Sequence, residues 1–370
     1  MRTLRNVVIS FIFIVIVCSV NIVNQVDAQS VQEVEVSEIS QIDTHAWAGN
    51  VMVQDDIAYV SDFEGLNIFD ISDIENPIEL SYFNEGVVEP HQIYVEGNFV
   101  YVADYTSGFK IIDVSDPENP TQVGVFHDGG EVGRFEIVDD VAFIADFVDG
   151  IEVVNISDIN QLTEITQYDT DITNAYNIQI HNDLAYVSEY VSSTEKYLKI
   201  LDISDLNNIE EVVEYSDISG EVFGITFVDD VAYMACAFAG VTIFDNSDHL
   251  NLVELGSFDD GGHSVEIEFY EGYMVVADRS GGLEIFDITD PANITKIAEH
   301  DDGGDAAGIE IVNDLIFLAD GDDGLEILQM VVNTPTTSEV LLPVEIIIVG
   351  GAIGALALIT IILISIKRKR

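Results

Sequence analysis

Cysteine and basic residues are both scarce in this chain of 370 residues. Of its two cysteines, Cys18 lies in an apolar N-terminal run, which leaves Cys236 without an intramolecular partner. A disulfide framework is therefore excluded, and packing must hold the fold together. The 12 Lys and Arg residues stand against 68 Asp and Glu residues, for a net charge of −56. This excess of negative charge excludes nucleic acid as a partner, because phosphates would be repelled.

The N-terminus is apolar, in contrast to the acidic body that follows. Residues 1–28 combine a basic start, an apolar run and a small-residue cleavage motif that ends at Ala28. This pattern predicts a secretory signal peptide. An uncleaved N-terminal anchor is the alternative.

The C-terminus carries a second apolar run. Residues 331–343 are predicted to form a polar linker, residues 344–366 a transmembrane helix and residues 367–370 a basic cytoplasmic tail. Basic residues stay on the cytoplasmic side, so the body is expected outside the cell membrane, attached by a single span. Gly350 and Gly354 form a GxxxG pair within the run, which predicts a weak homodimer.

The body, residues 29–330, has no helical period but is strongly repetitive. A β-type run that mostly ends in an acidic residue recurs seven times, with final positions 62, 104, 146, 189, 236, 278 and 320. Each copy contains four short β-type runs separated by turn residues, which is typical of a propeller blade. We therefore predict an all-β fold, a seven-bladed β-propeller of four-stranded blades.

The ends of the repeat array predict how the propeller closes. The seventh copy lacks a fourth strand, whereas residues 33–43, which precede the first copy, match that strand. The N-terminal strand is therefore expected to complete the seventh blade, which leaves no exposed sheet edge.

The third strand and its turn carry the most regular motif, which reads GFKIIDVSDPENP in the second copy and GLEIFDITDPANI in the sixth. These residues resemble the LVIVD repeat family, which is named for this strand and turn. The resemblance covers roughly residues 31–330. It implies a β-propeller of the kind found in secreted and surface proteins of bacteria and archaea, and it implies no particular activity. The motif Asp and Ser residues are expected to stabilise tight turns.

Acidic residues recur at the ends of the second strands and in the connections between blades, which share one face of a propeller. The sequence therefore predicts an anionic face around the channel mouth. Ca²⁺ is the one cofactor that such a face suggests, because hard cations bind several oxygen ligands. The candidate ligands are Asp301, Asp302, Asp320, Asp322 and Asp323. Diffuse counterions on a solvated face are the alternative.

Departures from the repeat indicate where a partner binds. The candidate patch consists of His45, Trp47, His91, Arg134, Tyr190, Lys196, His263 and Arg279. Aromatic and Arg residues are common anchors for partners, here a surface protein or a glycan. Two other interpretations assign the three histidines to a transition metal or to acid–base catalysis.

The sequence favours binding over catalysis. It contains no nucleophile elbow, paired-carboxylate signature or phosphate-binding loop, so we assign no catalytic residue. Asn155 and Asn293 begin glycosylation sequons on the face away from the acidic loops. We expect a membrane-anchored surface protein for adhesion, binding or scaffolding. An enzyme or metal-binding protein with a site at the channel mouth is the alternative.

Overall fold

The computed structural model describes residues 33–333, apart from residues 148, 170–173, 193–194, 217 and 260. The predicted signal peptide, transmembrane helix, cytoplasmic tail and GxxxG pair lie outside the described residues. Within the described part of the chain, no helix is long and apolar enough to span a membrane.

The described residues form seven antiparallel sheets of four strands each. Blade one contains β2 (Ala48–Gln54), β3 (Ile57–Asp62), β4 (Gly65–Asp70) and β5 (Ile78–Phe83). Blade two contains β6 (Pro90–Glu96), β7 (Phe99–Asp104), β8 (Gly108–Asp113) and β9 (Thr121–Phe126). Blade three contains β10 (Phe135–Val138), β11 (Val141–Asp146), β12 (Gly150–Asn155) and β13 (Thr163–Tyr168). Blade four contains β14 (Asn174–His181), β15 (Leu184–Ser192), β16 (Glu195–Asp202) and β17 (Glu210–Tyr215).

The remaining blades follow the same order. Blade five contains β18 (Gly224–Val228), β19 (Val231–Ala235), β20 (Val241–Asp245) and β21 (Val253–Phe258). Blade six contains β22 (Glu266–Tyr270), β23 (Tyr273–Ala277), β24 (Leu283–Asp287) and β25 (Thr295–His300). Blade seven contains β26 (Gly308–Val312), β27 (Leu315–Ala319), β28 (Leu325–Asn333) and β1 (Glu33–Ile42). The prediction of a seven-bladed propeller is confirmed.

The N-terminal strand closes the ring, as predicted. β1 pairs antiparallel with β28, and Val36 lies opposite Met330. β28 continues to Asn333, so the first residues of the predicted linker belong to the blade. This pairing joins the two ends of the repeat array within one sheet, which removes the open edge that blade seven would otherwise present.

The hydrophobic core lies between the blades. One buried cluster fills each contact between neighbouring blades, as where Leu66 and Ile68 of blade one pack against Ile93 and Val100 of blade two. The ring closes through a cluster that joins Phe317 of blade seven to blade one. Second and third strands are apolar along most of their length because both of their faces are covered in this way.

The motif Asp residues stabilise turns, as expected from their sequence. Asp73 Oδ1 accepts a hydrogen bond from the Glu75 N–H at 3.2 Å, and the Asp73 carbonyl accepts one from Asn76 at 2.9 Å. The same arrangement recurs in other blades, for example at Asp116 and Asp290. Hydrogen bonds from nearby backbone N–H groups to the Asp side chain explain why these turns share one geometry.

Candidate functional site

The first strands of the seven blades line a central channel, which encloses a cavity of about 370 Å³. Its side chains form two layers that repeat with the blades. The upper layer, nearer the connections between blades, contains Asn50, Gln92, Arg134, Asn177, Gly224 and Glu266. The lower layer contains Met52, Tyr94, Glu136, Gln179, Thr226, Glu268 and Glu310. The channel is therefore polar, with most of its acidic groups in the lower layer.

Three upper-layer side chains each tie one first strand to the next. Asn50 Oδ1 accepts a hydrogen bond from the Ile93 N–H at 3.1 Å, and Gln92 Oε1 accepts one from Phe135 at 2.8 Å. Glu266 performs the same role toward blade seven. These bonds satisfy backbone donors at the inner edges of the sheets, which would otherwise be buried without partners.

The lower layer contains three glutamates whose pKa values are raised. Burial raises the pKa of Glu136 and of Glu268 to about 7. Burial, together with the charges of Glu268 and Glu266, raises the pKa of Glu310 to about 8. Much of the negative charge that the sequence places in the channel is therefore neutralised by protons near pH 7.

Aromatic side chains surround the channel mouth. We call this set the mouth ring; it consists of Trp47, Phe63, His91, Tyr105, Phe147, Tyr176, Phe223, Phe238 and His263. Neighbouring ring centroids lie 4.4 to 6.1 Å apart. Phe63 is 43% exposed and Phe238 76% exposed. The mouth ring therefore presents apolar surface to solvent at the centre of a highly acidic protein.

Trp47 and Arg279 complete the mouth ring between blades six and one. Phe63, Tyr105 and Phe147 each follow the last residue of a second strand, and the equivalent residue of blade seven is Gly321. A Cβ at Gly321 would lie 2.6 Å from Trp47 Nε1, so the indole occupies the space that a side chain fills elsewhere.

Two arginines accompany the mouth ring. The Arg279 guanidinium lies 4.6 Å from the Trp47 ring centroid. Arg134 lies in the upper layer of the channel, close enough to Arg279 that each charge acts on the other. Burial and the charge of Arg134 lower the pKa of His91 to about 4, so His91 is neutral at pH 7. Burial also lowers the pKa of His263. Both histidines therefore act as aromatic members of the ring.

The structure brings five of the eight residues of the predicted partner-binding patch together. Trp47, His91, Arg134, His263 and Arg279 all lie at the mouth. His45 points away from it, since its Nδ1 hydrogen-bonds Asn67 at 2.9 Å and its ring stacks on Tyr82 of an outer strand. Tyr190 is 37% exposed and lies opposite Lys196 in the β15–β16 hairpin. Tyr190 and Lys196 both belong to blade four and are not members of the mouth ring.

The expectation of an anionic face is wrong for the second-strand acids. They are at most 3% exposed, and they are Asp62, Asp104, Asp146, Glu189, Asp278 and Asp320. Asp62 accepts hydrogen bonds from the Ala46 and Glu64 N–H groups. These carboxylates anchor the loops above them, which shields them from solvent. The exposed negative charge of this face comes from the connections between blades.

Three of the five predicted calcium ligands come together. Carboxylate oxygens of Asp302, Asp320 and Asp323 lie within 4.8 Å of one another. Asp301 instead accepts a hydrogen bond from the Gly303 N–H at 3.1 Å, and Asp322 is exposed. The predicted sequons lie at the opposite end of the blades, where Asn155 ends β12 and Asn293 follows a third-strand turn.

Sequence reasoning missed most of the mouth ring. Phe63, Tyr105, Phe147, Tyr176, Phe223 and Phe238 were not singled out as candidates. The available signal was the aromatic residue directly after the second-strand acid in blades one to four. Three-dimensional closure of the ring was needed to bring these positions, which lie about 42 residues apart, around one opening.

Comparison with known proteins agrees with this architecture. A family model described as LVIVD repeat matches residues 47–85, 90–128, 129–170, 174–217 and 261–302. The crystal structure of the computationally designed Ika8 protein is similar in fold, with a TM-score of 0.59 and 11% sequence identity, over 80% of this chain and 99% of that protein. At this identity the likeness concerns the fold alone. None of the curated proteins matches the chain in sequence.

Proposed function

The chain belongs to the LVIVD repeat family, and on this premise we propose that it is a membrane-anchored cell-surface protein that binds an anionic glycan at the mouth ring. The predicted signal peptide and C-terminal span support a location outside the membrane. Such binding serves adhesion or attachment to a surface partner. The propeller provides a rigid support on which the loops of several blades meet at one opening.

One observation carries the proposal: among the described residues, neither arginine at the mouth has a carboxylate within ion-pair distance. The charge of Glu266 reaches both arginines, and that of Asp305 reaches Arg279, only from farther away. Neither Arg134 nor Arg279 forms an ion pair with any of the described residues. By contrast Lys110, Lys199 and Lys296 each contact a carboxylate within 3.1 Å. Unpaired guanidinium groups in so acidic a protein are available to a carboxylate or sulfate group, which they bind with directed hydrogen bonds.

The surroundings of the arginines favour a sugar over a peptide. Rings with exposed faces, such as Phe63 and Phe238, can stack on the apolar faces of pyranose units. The Gln92 Nε2 amino group and the Asn177 amide lie below the mouth and suit hydroxyl groups. A pocket with apolar walls and a few polar groups that fix orientation is typical of small-ligand sites.

Trp47 provides a direct measurement, because it is the only tryptophan and belongs to the mouth ring. We would titrate the full chain with oligosaccharides of hexuronic acid and follow tryptophan fluorescence. The expected result is a saturable change, with a much weaker one for neutral oligosaccharides of equal length. Acidic peptides serve as the third probe.

The variants Arg134→Gln and Arg279→Gln should weaken the response, whereas Lys196→Gln removes the same charge away from the ring and should not. Calorimetry repeats the comparison without relying on Trp47, whose emission Arg279 itself influences. If acidic peptides bind saturably and uronates do not, the partner is a protein and the proposal of a glycan is wrong. Equal binding by all three variants would refute the mouth ring as the site.

The raised pKa values of the channel glutamates are the feature that would favour an enzyme. Burial and mutual repulsion account for them without a catalytic role. We therefore retain catalysis or metal chemistry at the channel mouth only as the alternative.

A further inference from the structure

One buried position recurs in all seven blades beneath the connection that enters each blade. The residue that ends the second strand, or directly follows it in blades five to seven, faces one residue of the third strand. The seven pairs are Asp62 with Asn67, Asp104 with Lys110, Asp146 with Glu152, Glu189 with Lys199, Cys236 with Thr242, Asp278 with Glu284, and Asp320 with Glu326. Both members of every pair are buried. Their composition therefore reveals how each blade balances buried charge.

Five of the blades balance the charge within the protein. Lys110 Nζ lies 2.8 Å from Asp104, and Lys199 Nζ lies 3.1 Å from Glu189. In blade six a lysine of the fourth strand takes this role, since Lys296 Nζ lies 2.9 Å from Glu284.

The other two of these five blades use neutral partners. In blade one Asn67 Nδ2 donates to Asp62 Oδ2 at 2.8 Å. In blade five the pair is neutral, because burial raises the pKa of the Cys236 thiol to about 12.

Blade three has no such compensation. Asp146 and Glu152 are 2% and 1% exposed, and one oxygen from each lies within 4.8 Å of an oxygen of Asp128. Asp146 Oδ1 and both carboxylate oxygens of Glu152 accept no hydrogen bond from an N–H or hydroxyl group of the described residues. The side chain with which Glu152 can share a proton is another acid, Asp128. Three carboxylates thus converge on one point, and no cation offsets the cost of burying Asp146 and Glu152.

Blade seven repeats this arrangement. Asp320 and Glu326 are 3% and 0% exposed, and Asp320 Oδ1 and both oxygens of Glu326 accept no hydrogen bond from an N–H or hydroxyl group of the described residues. The side chain with which either can share a proton is again an acid, Asp302. Asp302 takes the place of Asp128, and Asp323 adds a further carboxylate. His300 Nε2 lies 3.4 Å from Glu326 Oε2 at the edge of the group.

A loop feature accompanies these sites. The sequence Asp-Gly-Gly enters blades three, six and seven, and these are the blades with Glu at the third-strand position that faces the buried acid. The second glycine covers the buried acid: a Cβ at Gly130 would lie 2.0 Å from Asp146 Oδ1, and one at Gly304 would lie 1.9 Å from Asp320 Oδ2. The turn and the glutamate therefore form one unit, which blade six supplements with Lys296.

We propose that blades three and seven each bind one Ca²⁺, at the position where blades two, four and six hold a lysine ammonium group. The donors are Asp128, Asp146 and Glu152 in blade three. In blade seven they are Asp302, Asp320, Asp323 and Glu326. Both sets consist of carboxylate oxygens, which Ca²⁺ binds with flexible geometry, whereas Mg²⁺ demands a tighter octahedron. The two ions support the loops of two separate blades at the mouth face.

Calorimetric titration of the full chain, purified in mild detergent and stripped of metal, tests the proposal. At about 1 M KCl the Debye length is about 3 Å, so diffuse binding to the acidic surface is suppressed. We expect two Ca²⁺ per chain and much weaker binding of Mg²⁺. The variants Glu152→Lys and Glu326→Lys copy the lysines of blades two and four; each should bind one Ca²⁺, and the double variant none.

A variant of blade six tests the converse, because it should gain a Ca²⁺ site. Lys296→Gln removes the ammonium group that lies 2.9 Å from Glu284, and the stoichiometry should rise to three. Glu254→Lys makes the same charge change as Glu152→Lys on an exposed outer strand and should still bind two. If a lysine variant fails to fold, Asp128→Asn at the exposed loop should weaken one site by at least ~10-fold. Absence of stoichiometric Ca²⁺ binding, or two sites that survive both lysine substitutions, would overturn the proposal.

Discussion

The guanidinium of Arg279 lies over the indole of Trp47, 4.6 Å from the ring centroid. The two residues belong to blades six and one, so their contact spans blade seven at the channel mouth. Blade seven permits the contact because it has Gly321 where blades one to four carry an aromatic residue. One missing side chain thus lets a tryptophan and an arginine complete the mouth ring.

The Arg279–Trp47 contact should contribute measurably to stability. We expect Arg279→Gln to lower the free energy of unfolding by about 1 kcal/mol, as is usual for a partly desolvated cation–π contact, and to change the emission spectrum of Trp47. Lys196→Gln makes the same charge change elsewhere and should leave the emission unchanged. Denaturant unfolding followed by circular dichroism provides the measurement. An unaltered spectrum in Arg279→Gln would mean that the contact does not persist in solution.

Gly321 should tolerate no side chain. Its φ is +58°, and Gly97 in an exposed hairpin has a nearly equal φ of +61° with no atom close to its missing Cβ. Both Gly→Ala variants introduce the strain of a positive φ, about 1 kcal/mol. Only Gly321→Ala also displaces Trp47. We therefore expect a larger fall in Tm for Gly321→Ala together with a shift in Trp47 emission; equal effects of the two variants would contradict the proposed packing.

Lys110 should be essential to blade two because it is the cation of a buried ion pair. Its Nζ lies 2.8 Å from Asp104 and also donates to the Gly86 carbonyl. Lys110→Met leaves the buried Asp104 carboxylate without its cation. We therefore expect a loss of about 3–5 kcal/mol in the free energy of unfolding. Lys110→Asn copies Asn67 of blade one, which can donate to the acid, and should cost less. A smaller loss for Met than for Asn, measured by denaturant unfolding, would contradict this explanation.

The channel glutamates should make the protein less stable as the pH rises. The folded state raises the pKa of Glu268 to about 7 and of Glu310 to about 8, above the ordinary value of 4.5. The folded state therefore holds more protons than the unfolded state between about pH 4.5 and pH 8, so their contribution to stability is present at low pH and lost across this window.

Glu310→Gln separates this effect from the titration of other groups. We expect its Tm to match that of the wild type at pH 5 and to exceed it at pH 8, because an amide carries no charge to bury. Glu118→Gln, on an exposed turn, should alter Tm by the same small amount at both pH values. Thermal unfolding at fixed ionic strength is the measurement. A Glu310→Gln variant that loses stability at pH 8 would contradict burial as the cause of the raised pKa.

Only some residues of the candidate site could be predicted from the sequence. Trp47, His91, Arg134, His263 and Arg279 were recognised because each departs from the repeat. The mouth-ring residues Phe63, Tyr105 and Phe147 were overlooked because aromatic residues after a strand are common and show no spacing that predicts their contact. The partners of Asp320 were misjudged for a similar reason: Asp322 is close in sequence, whereas Glu326 reaches the acid from the neighbouring strand.

The sequence by itself determined the number of blades, their four-stranded composition and the closure by β1, because alternation, turn residues and a period of about 42 residues are local properties. Only the tertiary structure decided which charges are buried and which meet. Asp104 and Asp146 occupy the same repeat position, yet one faces Lys110 and the other Glu152. Whether an acidic residue anchors a loop, carries a proton or offers a cation site depends on its neighbours across the sheet and on its distance from water, and a linear repeat encodes neither.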